Sequence, residues 1–156
     1  MDLQIIQNKI FEIRGCRVML DFHLAELYGV QTKVLKQAVK RNEKRFPDDF
    51  RFTMTREEWH ELVTICDQLP ESLKHSYVLP DCFTEQGVAM LSSVLRSQTA
   101  IDVNISIMRA FVLMRQMSIG YEELLKRIEE LEQSTDAQFS EVYQALTQLL
   151  SKPEPK

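Results

Sequence analysis

Residues 21–46 constrain the fold more than any other part of the chain. They read as a short helix, a glycine, and a second helix that runs up to a proline. The first helix has its apolar positions at Leu24, Leu27 and Tyr28, with Asp21 as a candidate N-cap. Gly29 ends it, because a closing residue in the left-handed conformation is tolerated best without a Cβ. Thr32 restarts the chain as an N-cap, and the second helix extends to about Arg45, with Pro47 just beyond. Ala25 is small where two helices would cross, Val30 fills the space between them, and Leu35 and Ala38 point back. This is the spacing of a helix-turn-helix, whose second helix enters a major groove.

The second helix has two unlike faces. Lys33, Lys36, Gln37, Lys40 and Lys44 share an arc of about 100°, while Leu35, Ala38, Val39 and Phe46 face the other way. Like charges four residues apart destabilise a helix by a few tenths of a kcal/mol per pair. A phosphate lattice outside the helix offsets that cost, since each neutralised phosphate releases counterion. Thr32, Lys33, Lys36 and Gln37, near the helix start, are the candidates for base edges. Glutamine pairs bidentately with adenine, and lysine bonds guanine acceptors. Lys40, Arg41, Lys44 and Arg45 are the candidates for phosphates. Arg14 and Arg17, flanking a turn, are assigned to backbone or minor groove. The competing reading is a solvated face with carboxylate partners from the same molecule.

The net charge of −4 argues against wholesale polyanion binding, but it is unevenly placed. Residues 121–156 hold eight acids against four bases and so carry all of it, while residues 1–120 balance. Within residues 31–46 there are six bases and one acid. Such asymmetry suits a basic contact surface on a body with an acidic tail.

Residues 3–6 and 11–20 are rich in Ile, Val and Phe and read as short strands, with a hairpin turn at Arg14-Gly15. Residues 49–54 alternate and read as another strand. Thr55 and Glu58 form a capping box for a helix through Trp59, Leu62 and Ile65. Residues 67–76 read as a loop and 77–83 as a short strand or extended segment. Helices are expected from Thr84 or Glu85 to Leu95 and over residues 99–117. The fold class is therefore α+β: a small domain with an N-terminal hairpin, a helix-turn-helix-like pair and further helices. A helical extension follows. Tyr121, Leu124, Ile128 and Leu131 keep coiled-coil spacing, as do Phe139, Val142, Leu146 and Leu149. The two sets are out of phase around residues 133–137, so the segment is either one locally unwound helix or two helices. These eight residues are the candidate dimerisation seam. The expected division is 1–118 for the binding domain, 119–151 for the helical segment and 152–156 for a frayed tail.

The stretches IRGCRVMLDFHLAELYGVQTKVLKQAVKRNEKRFPDDFRFTMTREEW, LPDCFTEQGVAMLSSVLRS and AIDVNISIMRAFVLMRQ resemble the phage-derived "ORF six N-terminal" domain, a relative of the KilA-N and Bro-N domains. The resemblance spans about residues 5–117. It implies a DNA-binding role in a phage, prophage or mobile element.

Chemistry is expected to be absent. His23, His60 and His75 have no metal-ligand spacing with a cysteine, and there is no Walker loop, GxSxG or dinucleotide-binding glycine pattern. No metal or cofactor is expected. Adjacent acid pairs at Asp48-Asp49 and Glu57-Glu58 point apart, which disfavours a nuclease. No apolar run reaches the roughly 18 residues of a membrane span, and no signal pattern opens the chain, so a cytoplasmic protein with reduced cysteines is expected. The reading is a non-enzymatic, sequence-preferring binder of double-stranded DNA, acting as a homodimer in transcription regulation or antirepression. The rival is a protein-interaction module that binds a phage or host regulatory protein without touching DNA.

Overall fold

Asp2 decides the start of the chain. Its Oδ1 accepts the Gln4 N–H at 2.9 Å, capping helix α1 (Leu3–Gln7). The expected strand at residues 3–6 is therefore a helix. A polar cap and one buried side chain, Ile6, outweigh the β-propensity of two isoleucines. The computed structural model describes residues 2–66, 69–74, 78–133 and 137–150.

Strands β1 (Ile10–Ile13) and β2 (Cys16–Leu20) form the expected hairpin, pairing Ile10 with Met19 and Ile13 with Cys16. Arg14 and Gly15 both have positive φ, 56° and 74°, as a two-residue turn of type I′ requires. Strands β3 (Arg51–Thr53) and β4 (Asp81–Thr84) complete an antiparallel sheet in the order β1-β2-β4-β3. Alternation gives the sheet two apolar faces. Phe11, Ile13, Val18, Leu20 and Cys82 join Trp59 and Leu62 of helix α4 (Arg56–Ile65) in one core cluster. Phe83, on the other face, meets Phe46 edge to face at 5.9 Å.

Local signals placed most helix ends. Thr55 and Glu58 make both bonds of the capping box on α4. Gly29 closes helix α2 (Asp21–Tyr28) at φ 72°, and the Val30 N–H reaches Ala25 O at 3.0 Å, a Schellman closure. The caps assigned to Asp21 and Thr32 are displaced by one residue. The N-cap positions are Leu20 and, for helix α3 (Thr32–Arg41), Gln31, neither with a side-chain cap bond. Residues 71–74, expected in a loop, form the short helix α5 (Glu71–Lys74). Helix α6 (Glu85–Leu91) is capped by Thr84, whose Oγ1 accepts the Gly87 N–H. It stops short of Leu95, where the Ser92 and Ser93 hydroxyls bond back to Ala89 O and Met90 O. A Cβ on Gly87 would lie 2.1 Å from Phe50 O, so α6 approaches that backbone as only glycine allows.

Helix α7 (Gln98–Glu132) runs unbroken across the boundary expected between residues 118 and 119. Helix α8 (Ala137–Leu150) follows; residues 134–136, where the stutter falls, lie outside the described residues, as do 152–156. Two compact units divide at Phe111 and Val112. In the first, Ala100, Val103, Asn104, Ile107, Ala110 and Phe111 of α7 are buried. In the second, Leu124, Leu131, Val142, Leu146 and Leu149 are exposed, Tyr121 is half-buried, and Ile128 is buried by the chain itself. The side chain of Phe139 lies outside the described residues.

Candidate nucleic-acid interface

Helix α3 is held from beneath by two side chains. Leu35 and Val39 are buried, and α3 packs against α2, whose Leu24, Ala25 and Tyr28 are buried too. The Tyr28 hydroxyl donates to buried Asn104 of α7, which ties the end of α2 to the body. Burial pushes the Tyr28 phenol pKa up, so it stays a neutral donor.

The outward face of α3 carries charge. Lys33, Gln37, Lys40 and Arg41 are exposed, and Thr32 is half-buried at the helix start. Lys44 and Arg45 are also exposed, but α3 ends at Arg41 and they sit on a separate 3₁₀ turn, Glu43–Arg45. Asn42 causes the break. Its Nδ2 donates to Ala38 O at 2.8 Å, and its backbone leaves the helical region at φ −122°. Lys44 therefore does not continue the helical arc that its spacing implied. Among the described residues Lys33, Lys40, Arg41 and Lys44 make no ion pair. Arg45 Nη1 lies 3.4 Å from the Ser93 hydroxyl.

Lys36 differs from its neighbours. Its Nζ pairs with Asp21 Oδ2 at 3.4 Å and is about one-third exposed. Asp21 is buried, and its carboxylate also accepts the N–H groups of Phe22 (2.7 Å) and Asp81 (3.1 Å). Burial raises the Asp21 pKa; the Asp81 N–H and the Lys36 charge oppose the rise. So one of the expected base-reading lysines is turned toward the molecule's own carboxylate. Sequence reading assigned Asp21 only to a cap. The available signal was an acid inside the apolar run VMLDFHLA.

The hairpin arginines are placed differently again. Arg14 donates to both carboxylate oxygens of Glu58, at 2.8 and 2.9 Å, and its guanidinium lies 4.2 Å above the Phe52 ring. The pair raises the Arg14 pKa and holds the Glu58 carboxyl down at about 2. Arg17 is half-buried on β2, in the wall of a cleft of about 480 Å³ shared with Glu12, Asp49 and Glu85. Three carboxylates around one arginine are a poor surround for phosphate.

The stretch from the end of α1 through β1–β4 and α6, residues 8–94, matches the family model of the ORF6N domain. The chain belongs to the ORF6N domain family. That family is phage-associated. The match ends at Val94, before α7, whereas the resemblance in the sequence extended to residue 117. No curated protein and no solved structure matches the chain. Within the ORF6N region lie the hairpin, the α2–α3 pair and all the candidate DNA-contacting residues. Among the described residues no group of three or more His, Cys, Asp or Glu side chains is arranged to hold a metal, and no helix is long and apolar enough to cross a membrane. All three cysteines are free.

Proposed function

We propose that this ORF6N protein binds double-stranded DNA without catalysing a reaction on it, and acts in the cytoplasm in the regulation of a phage, prophage or mobile element. The observation that carries the reading is the exposed row on α3. Lys33, Lys40 and Arg41 are held at the surface by buried Leu35 and Val39, without an ion pair among the described residues. Such a row supports phosphate neutralisation, with Thr32 and Gln37 at the helix start available to base edges. Lys44 and Arg45, on their own turn, extend the positive surface. Lys36 contributes only if it leaves Asp21. Two copies, joined through the C-terminal helices, would present two recognition helices to a near-palindromic site. Exposed Leu124, Leu131, Val142, Leu146 and Leu149 support that pairing.

The same exposed apolar residues favour the rival, in which they bind a regulatory protein and the lysines stay solvated. A salt titration of binding to mixed-sequence duplex DNA separates the two. Direct DNA binding predicts association at low salt that weakens steeply as salt rises; the rival predicts none. Gln37→Ala should shift sequence preference by about 1–3 kcal/mol at one base position. An equal loss on preferred and unrelated duplexes would remove Gln37 from base readout.

A further inference from the structure

The flank of α3 that carries Thr32 and Lys36, beside the cationic row, faces a small pocket. Its volume is about 120 Å³. Phe22, Trp59, Leu73, Leu79 and Pro80 give it apolar walls, and Thr32, Lys36 and Asp21 supply a polar end. The walls are firm where they matter most, since Trp59 and Asp21 are almost fully buried and Phe22 meets Trp59 edge to face at 6.2 Å. We infer that this pocket binds a neutral single-ring compound bearing one hydroxyl group, and that its occupancy restrains Lys36.

Size sets the first limit on the ligand. The pocket opens to solvent, and its volume of about 120 Å³ is near that of an apolar cavity of about 150 Å³ that takes up benzene, so a single six-membered ring is the size it suits. The polar end sets the second. Lys36 pairs with Asp21 alone among the described residues and is about one-third exposed, so its ammonium can donate to a ligand. Asp21 already accepts Phe22 N–H and Asp81 N–H and is paired with Lys36 at 3.4 Å, and so has room for one more donor. Thr32 brings a hydroxyl that either gives or takes a hydrogen bond. A ligand hydroxyl both accepts and donates, and so satisfies this set. A charged group does not: the Asp21–Lys36 pair is neutral as a whole, and an added carboxylate would face Asp21 across the pocket.

The coupling to DNA rests on the proposed function, whereas the pocket does not. Thr32 and Lys36 both belong to α3 and both line the pocket. A hydroxyl bonded to Lys36 holds the ammonium beside Asp21 and keeps it from the groove. Occupancy should therefore weaken duplex binding by about one lysine contact, on the order of fivefold.

Phenol is the probe, and NMR of the full-length protein is the readout. Trp59 is the one tryptophan of the chain, so its indole N–H gives a single assigned signal. Phenol should shift that signal, and the amides of Thr32 and Lys36, saturably with Kd of about 1 mM. Benzoate should shift them far less. Leu79→Phe and Leu73→Phe, each filling the space from a different wall, should abolish the phenol response. An unmoved Trp59 signal, an equal response to benzoate, or an undiminished response in whichever filled variant folds overturns the pocket. With phenol bound, duplex affinity should fall about fivefold in the wild type and stay constant in the filled variant. Unchanged affinity in the wild type overturns the restraint on Lys36. A chain that takes up phenol as described but binds no duplex upholds the pocket and sinks the DNA reading. One that binds duplex while Trp59 stays unmoved does the reverse.

Discussion

The hairpin turn and helix α3 both carry cations that a sequence reader assigns to DNA, and the structure treats them in opposite ways. Arg14 is committed: it grips both oxygens of Glu58 and covers the Phe52 ring. Lys33, Lys40 and Arg41 project from a helix whose inner face is anchored by Leu35 and Val39, and they have no ion pair among the described residues. Lys36 stands between the two cases, on the cationic helix but paired inward with Asp21. The difference teaches that a count of basic residues is not a count of available positive charge. What matters is whether the fold brings a carboxylate within reach.

The sharpest attempt to break the comparison removes the available set. Lys33→Ala, Lys40→Ala and Lys44→Ala together should lower the slope of log K against log salt by about three, leaving the thermal midpoint nearly unchanged. Fluorescence anisotropy on mixed-sequence duplex at several salt concentrations checks this. A slope equal to the wild type's would mean that these lysines touch no phosphate.

A second test probes the body that supports both regions. Gly87→Ala forces a Cβ to 2.1 Å from Phe50 O, and should cost about 3 kcal/mol by urea unfolding. Acid should loosen the same body in two stages. Buried His23 has its pKa lowered to about 4, because burial disfavours the charged ring and Lys9 adds to this. Its folded pKa lies below the unfolded value, so the unfolded state takes up protons first as pH falls from 6.5 toward 4. Stability should drop by about 3 kcal/mol across that window, and a His23→Phe variant should lose less of it. The Glu58 carboxyl, held at about 2, contributes stability above its unfolded pKa, which is lost as pH falls from about 4.5 toward 2. The raised pKa of Asp21 acts in the opposite sense.

The smallest effect sharpens the contrast from the other side. Arg14→Ala should lower the thermal midpoint modestly, raise the Glu58 carboxyl pKa toward the ordinary range, and leave the salt slope of DNA binding unchanged. A slope reduced by about one would return Arg14 to the interface.

Much of the fold was legible because its signals are local. Arg14-Gly15 fixed a tight hairpin through two positive φ values, Thr55 and Glu58 fixed a helix start, and Gly29 fixed the turn between α2 and α3. Each is a short-range hydrogen-bonding or steric problem that neighbouring residues solve among themselves. The misreading at α1 was also local. An apolar pair suggests a strand, but Asp2 supplies a cap that turns the segment into a helix. Reading Lys44 as part of α3 failed because Asn42 bonds back to Ala38 and ends the helix early. The candidate interface was only half legible. Alternation of charge and apolar residues gave the outer face of α3, but nothing in that pattern reveals that Lys36 has a carboxylate beside it.

The order of side chains alone determined an α+β chain with a helix, a glycine and a lysine-bearing helix, since caps, turns and periodicity act within a few residues. Tertiary structure alone decided which cations remain available. Asp21 reaches Lys36, Glu58 reaches Arg14, and Phe50 meets Gly87 only once the sheet has closed and set distant segments side by side. Ion pairs and close approaches depend on distances that chain order does not fix, so charge that looks the same in the sequence is exposed in one place and neutralised in another.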